Sequence, residues 1–371
     1  MSESYLVVDA CEYPSAAWLT CDPGEKISVR KVFDNFSPHT HPLFYISSIL
    51  PATVIVNMPS SEGYSAESQF SFSRTTPRVP MSPVEFENAL SQALTSTTSM
   101  IRPAAAAYMN LPELDTMLVE GRGGSFSLDG RPVASPVGQQ GSVLSGTLQL
   151  IFTSRPVFER WHKYFNGSRD FHFTLNARAN ISANHSLNAP AKSLHILPDC
   201  SVALCREGEK DISSGGNRLN TRKSDVGWRA FTGVVSSDWG ISESSARRVL
   251  EAFGAEEVSP HIKKRLQKSL DKPSKSFFSS LGRIGVSSGE WQVDAPAWFP
   301  ISFPLKKRNL RLSGADADRM AESRGLVLHR GLLSPREAAV FVAPFLEFYY
   351  HNKRTPMNHW LKKRVHWLTP S

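Results

Sequence analysis

The stretch Leu114-Asp-Thr-Met-Leu-Val-Glu-Gly-Arg-Gly-Gly-Ser-Phe-Ser-Leu-Asp-Gly-Arg-Pro-Val-Ala-Ser-Pro-Val-Gly138, continued by Gly141-Ser-Val-Leu-Ser-Gly-Thr-Leu-Gln-Leu-Ile-Phe152, decides the fold. Within it, Ser125 to Val133 reads as a hairpin, because Asp129-Gly130 is a dipeptide that tight two-residue turns select. Gly146 to Thr153 alternates as a long strand does.

Working outward, Tyr5 to Asp9 and Ala52 to Asn57 are apolar, β-branched strands. Ile27 to Val32 alternates as an edge strand would, and Gln69 to Arg74 is a further strand. Four helix starts are clear. Ser82-Pro83-Val84-Glu85 and Ser334-Pro335-Arg336-Glu337 are capping boxes with Pro at the first helical position. Ser259-Pro260 opens a helix with Ile262, Leu266 and Leu270 on one face and Lys263, Lys264 and Lys268 away from it. Ser242 opens another, with Ala246, Val249, Leu250 and Phe253 on a stripe and Gly254 as its stop. Strands, then helices, then strands imply mixed α/β modules, and no internal repeat is visible.

The chain has 371 residues, 40% of them hydrophobic and 20% charged, which gives enough apolar mass for two or three cores. The formal charge is +8 and is unevenly placed. Residues 1–185 hold 13 basic and 16 acidic residues, which leaves 29 and 18 of the chain's 42 and 34 in residues 186–371. That second half carries +11 and suits an anionic partner: a membrane surface, an acidic protein or nucleic acid. The N-terminus has no basic region of a signal peptide, and no window reaches the roughly 18 apolar residues of a spanning helix. Cys11, Cys21, Cys200 and Cys205 have no CxxC spacing and read as reduced thiols of a cytoplasmic protein.

The hairpin segment resembles the small subdomain inserted in the bacterial cell-division protein FtsA and its relatives, members of the actin-like superfamily. Strand, Asp-Gly turn, Pro-x-Gly and second long strand follow there in the same order. Ile212-Ser-Ser-Gly-Gly-Asn217, Trp239 to Leu250, Phe303 to Lys307 and Gly331 to Glu337 resemble later parts of that family. The resemblance implies a two-lobed actin-like ATPase fold with a small α+β subdomain inserted in the first lobe. The expected division is residues 1–79 and 166–350 for the lobes, 80–165 for the insertion and 351–371 for a basic amphipathic tail.

Actin-like proteins hold ATP between the lobes, on glycine turns whose backbone N–H groups approach the phosphates. Each such turn is degenerate here. After the first strand stands Val8-Asp9-Ala10-Cys11-Glu12, without glycine. The second turn aligns with Leu194-His-Ile-Leu-Pro-Asp-Cys-Ser201, where Pro198 removes a donor. Gly282 to Gly289 is a faint echo of the adenosine turn. The resemblance thus implies a pseudo-ATPase, with no cofactor or with ATP/Mg held weakly by Asp9, Asp199, Gly215, Gly216 and Asn217. An active ATPase of the same fold is the rival reading. His39 and His41 have no third metal ligand at sensible spacing, and no protease, esterase or P-loop motif is present.

From Pro356 onward, Met357, Trp360, Leu361, Val365 and Leu368 share a helical face, with Trp367 at its edge and Lys362 and Lys363 opposite. A basic helix of this kind suits an anionic bilayer. The expected membrane contacts are Trp360, Leu361, Lys362, Lys363, Arg364, Trp367 and Leu368. The competing expectation is a last helix packed on the core. Together these readings imply an adaptor, peripheral on the inner membrane, that joins a cytoskeletal or division protein to the lipid and can form a homo-polymer. The pilus-assembly protein PilM, of the same superfamily, offers a similar layout, and a nucleic-acid-binding role for the basic half is the rival from another class.

Overall fold

A computed structural model describes the chain except residues 1–2, 12–13, 23, 35, 37–52, 166–169, 184–191, 207–218, 297, 354–355 and 366–371. The first sheet begins with a meander of β1 (Glu3–Asp9), β2 (Ser15–Cys21) and β3 (Lys26–Phe33), antiparallel to one another. β1 then pairs parallel with β4 (Thr53–Met58), and β4 with β9 (Asp170–Leu175). β1 and β4 are central strands covered on both faces, which is why they read as continuous apolar runs rather than alternating ones.

The insertion is a four-stranded sheet in the order β5 (Gly63–Ser73), β8 (Val143–Ser154), β6 (Thr116–Leu128), β7 (Arg131–Pro132). Asp129 and Gly130 both take positive φ in the hairpin turn, as the dipeptide predicts. β5 pairs with β8 along its whole length, from Gly63 opposite Thr153 to Ser73 opposite Val143. The strand at Gln69 to Arg74 therefore lies in the small sheet, and we propose that the inserted unit starts near Gly63. Helix α1 (Pro83–Met109), capped by Ser82, lays Phe86, Leu90, Leu94 and Ile101 over that sheet. Helix α2 (Arg155–Tyr164) then leads back to β9, with Val157 and Trp161 against the first sheet.

Helix α3 (Asn176–Ala183) leads into the second sheet. Its order is β12 (Leu219–Ser224), β11 (Ser201–Arg206), β10 (Lys192–Ile196), β13 (Gly289–Asp294), β15 (Leu310–Gly314), β14 (Leu305–Lys307). Again an antiparallel meander is extended on the far side of its first strand, β10, by parallel β13 and then β15. The two sheets repeat one topology although the sequence shows no repeat. Helices α4 (Arg229–Trp239), α5 (Glu243–Gly254) and α6 (Pro260–Arg283) cover the second sheet, with Phe231, Leu250, Leu266, Phe277, Trp291 and Leu312 at the centre of the core.

The chain then returns to the first sheet. Helix α7 (Ala317–Glu322) precedes β16 (Val327–His329), which extends that sheet beside β3. Helix α8 (Pro335–Phe348) begins at the complete Ser334/Glu337 capping box and is buried among β1, β2 and α3. Helix α9 (Pro356–Val365) lies against β6 of the insertion.

Candidate functional site

Strands β1 and β13 end facing one another between the two sheets. Their last residues, Asp9 and Asp294, line a cavity of about 210 Å³ with Cys11, His195, Trp228, Trp298 and Arg247. That volume is below the roughly 300–1,000 Å³ of ordinary small-molecule pockets. Asp9 is buried, and burial together with the Asp294 carboxylate pushes its carboxyl up to about 7, while a Cys11 hydrogen bond opposes the shift. The Asn57 amide donates to Asp9 Oδ1 at 3.4 Å and to the Val340 carbonyl at 3.4 Å. His195 Nε2 stands 3.5 Å from Asp294 Oδ2, and its Nδ1 stands 3.3 Å from Ser60 Oγ. Burial lowers the His195 pKa despite Asp294. Burial also pushes the Cys11 thiol up, so it is not the thiolate a nucleophile needs.

The backbone around this cavity is engaged with itself. The Ala10 N–H donates to the Asn57 carbonyl at 2.9 Å. The Leu197 N–H donates to Cys200 O, and Pro198 has no N–H. The N–H groups of Trp228 and Arg229, at the start of α4, donate to the carbonyls of Leu197 and Pro198 at 2.9 and 2.8 Å. A helix start that could hold an anion is thus satisfied by the turn itself. Gly227 is what allows this approach: a Cβ there would lie 2.2 Å from Leu197 O. Above the acids, Trp228 and Trp298 meet edge to face at 5.0 Å, and the Arg247 guanidinium sits 5.3 Å from the Trp298 ring. Among the described residues, the N–H groups of Ala10, Leu197, Trp228 and Arg229 are thus turned to protein carbonyls, and two indoles line the cavity beside the acids. Among the described residues no group of three or more His, Cys, Asp or Glu could hold a metal ion.

The predicted site residues separate. Asp9 lines the interlobe cavity. Asp199 does not: it is exposed, is bound by the Arg229 guanidinium at 2.6 Å, and lines a neighbouring groove with Tyr108, Lys223 and Glu62. Gly215, Gly216 and Asn217 lie outside the described residues. The faint adenosine echo at Gly282 to Gly289 leads into β13, and the turn that follows that strand is Asp294-Ala295-Pro296. Asp294 and His195 were not singled out from the sequence. The available signal was that Asp294, like Asp9, closes a buried strand.

The expected lipid-facing role of Trp360 and Leu361 is also corrected. Leu361 and Val365 are fully buried in the core of the inserted unit, and Met357 and Trp360 pack against it. Asn358 Oδ1 accepts the Gly123 N–H at 2.9 Å. Gly123 leaves room for the helix, since a Cβ there would lie 3.1 Å from Met357 Cε and 3.4 Å from Leu361 Cδ1. The sheet of the insertion supplies the apolar partner that a bilayer was expected to supply. Lys362, Lys363 and Arg364 continue this helix, and Trp367 and Leu368 lie outside the described residues. Leu361→Ala should cost about 2–5 kcal/mol in urea unfolding without any lipid present. Unchanged stability would mean that α9 is not docked in solution.

No family model matches the sequence, and no curated protein matches it. Among solved structures, the PilM–PilN type IV pilus biogenesis complex contains a chain similar over 93% of this chain and 98% of its own, with a TM-score of 0.55 and 11% identity. The cytoplasmic domain of EpsL, an inner membrane component of the Vibrio cholerae type II secretion system, is similar over 94% and 96%, with a TM-score of 0.36 and 11% identity. A Bacteroides thetaiotaomicron protein of actin-like ATPase fold and unknown function is similar over 92% and 95%, with a TM-score of 0.31 and 7% identity. The duplicated sheets and the first of these similarities define the class: the chain has an actin-like ATPase fold. Among the described residues no helix is long and apolar enough to cross a membrane.

Proposed function

We propose that this chain is a nucleotide-independent adaptor of the actin-like fold, peripheral on the inner membrane, which joins a protein assembly to that surface. The observation that carries this reading is the engaged backbone of the interlobe cavity. A fold that is kept while its phosphate cradle is closed is a fold kept for its surfaces. In the FtsA-like form of the proposal the partner is a cytoskeletal or division protein, and the inserted unit makes subunit contacts, including those of a homo-polymer. In the PilM-like form the partner belongs to a pilus assembly. The similarity to a chain of the PilM–PilN complex supports partner binding by such a fold and does not favour one assembly over the other. Isothermal titration with Mg-ATP should give no saturable heat. Binding in the micromolar range would sink the nucleotide-independent reading and favour an ATPase.

A further inference from the structure

The charge asymmetry of the sequence has a location. Helix α6 carries Lys263, Lys264, Arg265, Lys268, Lys272, Lys275 and Arg283, all exposed, against a single acid, Asp271. Beside it, the β14–β15 hairpin exposes Lys306, Lys307, Arg308 and Arg311. Lys307 Nζ sits 4.2 Å from the ring of Phe278 on α6, so helix and hairpin form one surface. With Glu290 opposite Arg311 and Glu256 beside Lys263, the surface holds eleven basic and three acidic residues, a net +8 out of the +11 of the second half. Ile262, Leu266, Leu270, Phe277 and Leu281 turn the other face of α6 into the core. Lys264, Lys268, Lys272 and Lys275 follow at intervals of three and four, so they form one outward row along about 16 Å of helix. Among the described residues Lys264, Lys268 and Lys272 have no carboxylate partner, whereas Lys263 and Lys275 reach Glu256 and Asp271.

We infer that this lysine face, not the C-terminal helix, is the surface that docks on an anionic lipid bilayer. The inference deepens the adaptor reading and rests on it for the kind of surface engaged. Three features favour lipid over nucleic acid. Lysine outnumbers arginine seven to four on the face, and lysine is a hydrated point charge, whereas arginine is the residue of bidentate base and phosphate recognition. The neighbouring rings are covered by cations rather than open to stacked bases: Arg265 lies 4.7 Å from the Trp239 ring, and Lys307 lies over Phe278. The lysine row lies along the outer side of a helix whose other face is packed into the core, a placement suited to a plane of headgroups.

The test is flotation of the full chain with vesicles of phosphatidylglycerol and phosphatidylcholine, with pure phosphatidylcholine vesicles as the comparison. The wild type should float with the anionic vesicles only, and added salt should release it. Replacing Lys264, Lys268, Lys272 and Lys275 by glutamate should lower partitioning by roughly 500-fold or more, since each lysine near an anionic leaflet contributes about fivefold. These side chains are exposed, so the variant should keep the wild-type melting curve, and that curve is measured alongside. If the variant floats as the wild type does, the lysine face is overturned while a peripheral adaptor survives. If the wild type binds duplex DNA or RNA and not vesicles, both the face and the membrane half of the adaptor reading fail.

Discussion

Glu347→Gln should destabilise the fold by about 3–5 kcal/mol, because it leaves two buried guanidiniums without their counter-charge. Glu347 sits in α8, fully buried. Its Oε1 accepts from Arg122 Nη1 at 2.6 Å and from Arg178 Nε at 2.7 Å, and its Oε2 accepts from the Thr174 hydroxyl. Arg178 also donates to Ser65 and to Gln149, Gln149 donates to Glu67, and Glu67 meets Arg206 of the second sheet. One polar chain thus ties α8, α3, the inserted sheet and the second lobe together. Burial alone would raise the Glu347 carboxyl, but Arg122 and Arg178 hold it at about 2. A lowered carboxyl means that the unfolded chain binds more protons between about 2 and 4.5. Stability from this group is therefore present above that window and is lost as the pH falls through it, by roughly 3 kcal/mol. Urea unfolding of the variant and a pH series on the wild type measure both. The exposed Lys275–Asp271 pair, 2.7 Å long, serves as the comparison, and Lys275→Gln should cost less than about 0.5 kcal/mol. Equal costs for the two variants would contradict the network.

What was legible in the sequence was local. Caps at Ser82, Ser242, Ser259 and Ser334 each start a helix where the side-chain oxygen was expected to accept a backbone N–H. The Asp129-Gly130 turn and the buried strands at Tyr5 and Thr53 follow for the same reason. Helix α2 was missed although Ser154 and Pro156 mark its start, because its ten residues bury little beyond Val157 and Trp161. The meeting of Asp9 with Asp294 joins strand ends 285 positions apart, and no periodicity encodes it. The C-terminal helix fails differently. Met357, Trp360, Leu361 and Val365 make the same stripe whether the apolar partner is lipid or sheet. The distinguishing signal lay far upstream, in Gly121 and Gly123 of β6, where missing side chains open the groove that the helix fills.

The cavity itself yields the other large effect. Asp9→Asn should stabilise the protein by up to about 4 kcal/mol above neutral pH and leave it near wild type in acid. The sign follows from the raised pKa. Between the ordinary 3.8 and about 7 the folded state keeps a proton on Asp9 that the unfolded chain has released. Wild-type stability from this group is complete below that window, falls as the pH rises through it, and levels off above. Asparagine cannot ionise, so in a series of urea titrations the stability difference between variant and wild type should grow as the pH rises through the window and stay constant above it. A variant less stable than wild type at alkaline pH would show that the Asp9 charge is compensated in the fold. The same pair tests the cleft independently of heats of binding. A ligand that binds only the folded state raises stability by mass action. If Mg-ATP engaged Asp9, it would raise the wild-type melting temperature, and Asp9→Asn would abolish the rise. With Ala10 N–H on Asn57 and the α4 start on Leu197 and Pro198, neither protein should respond.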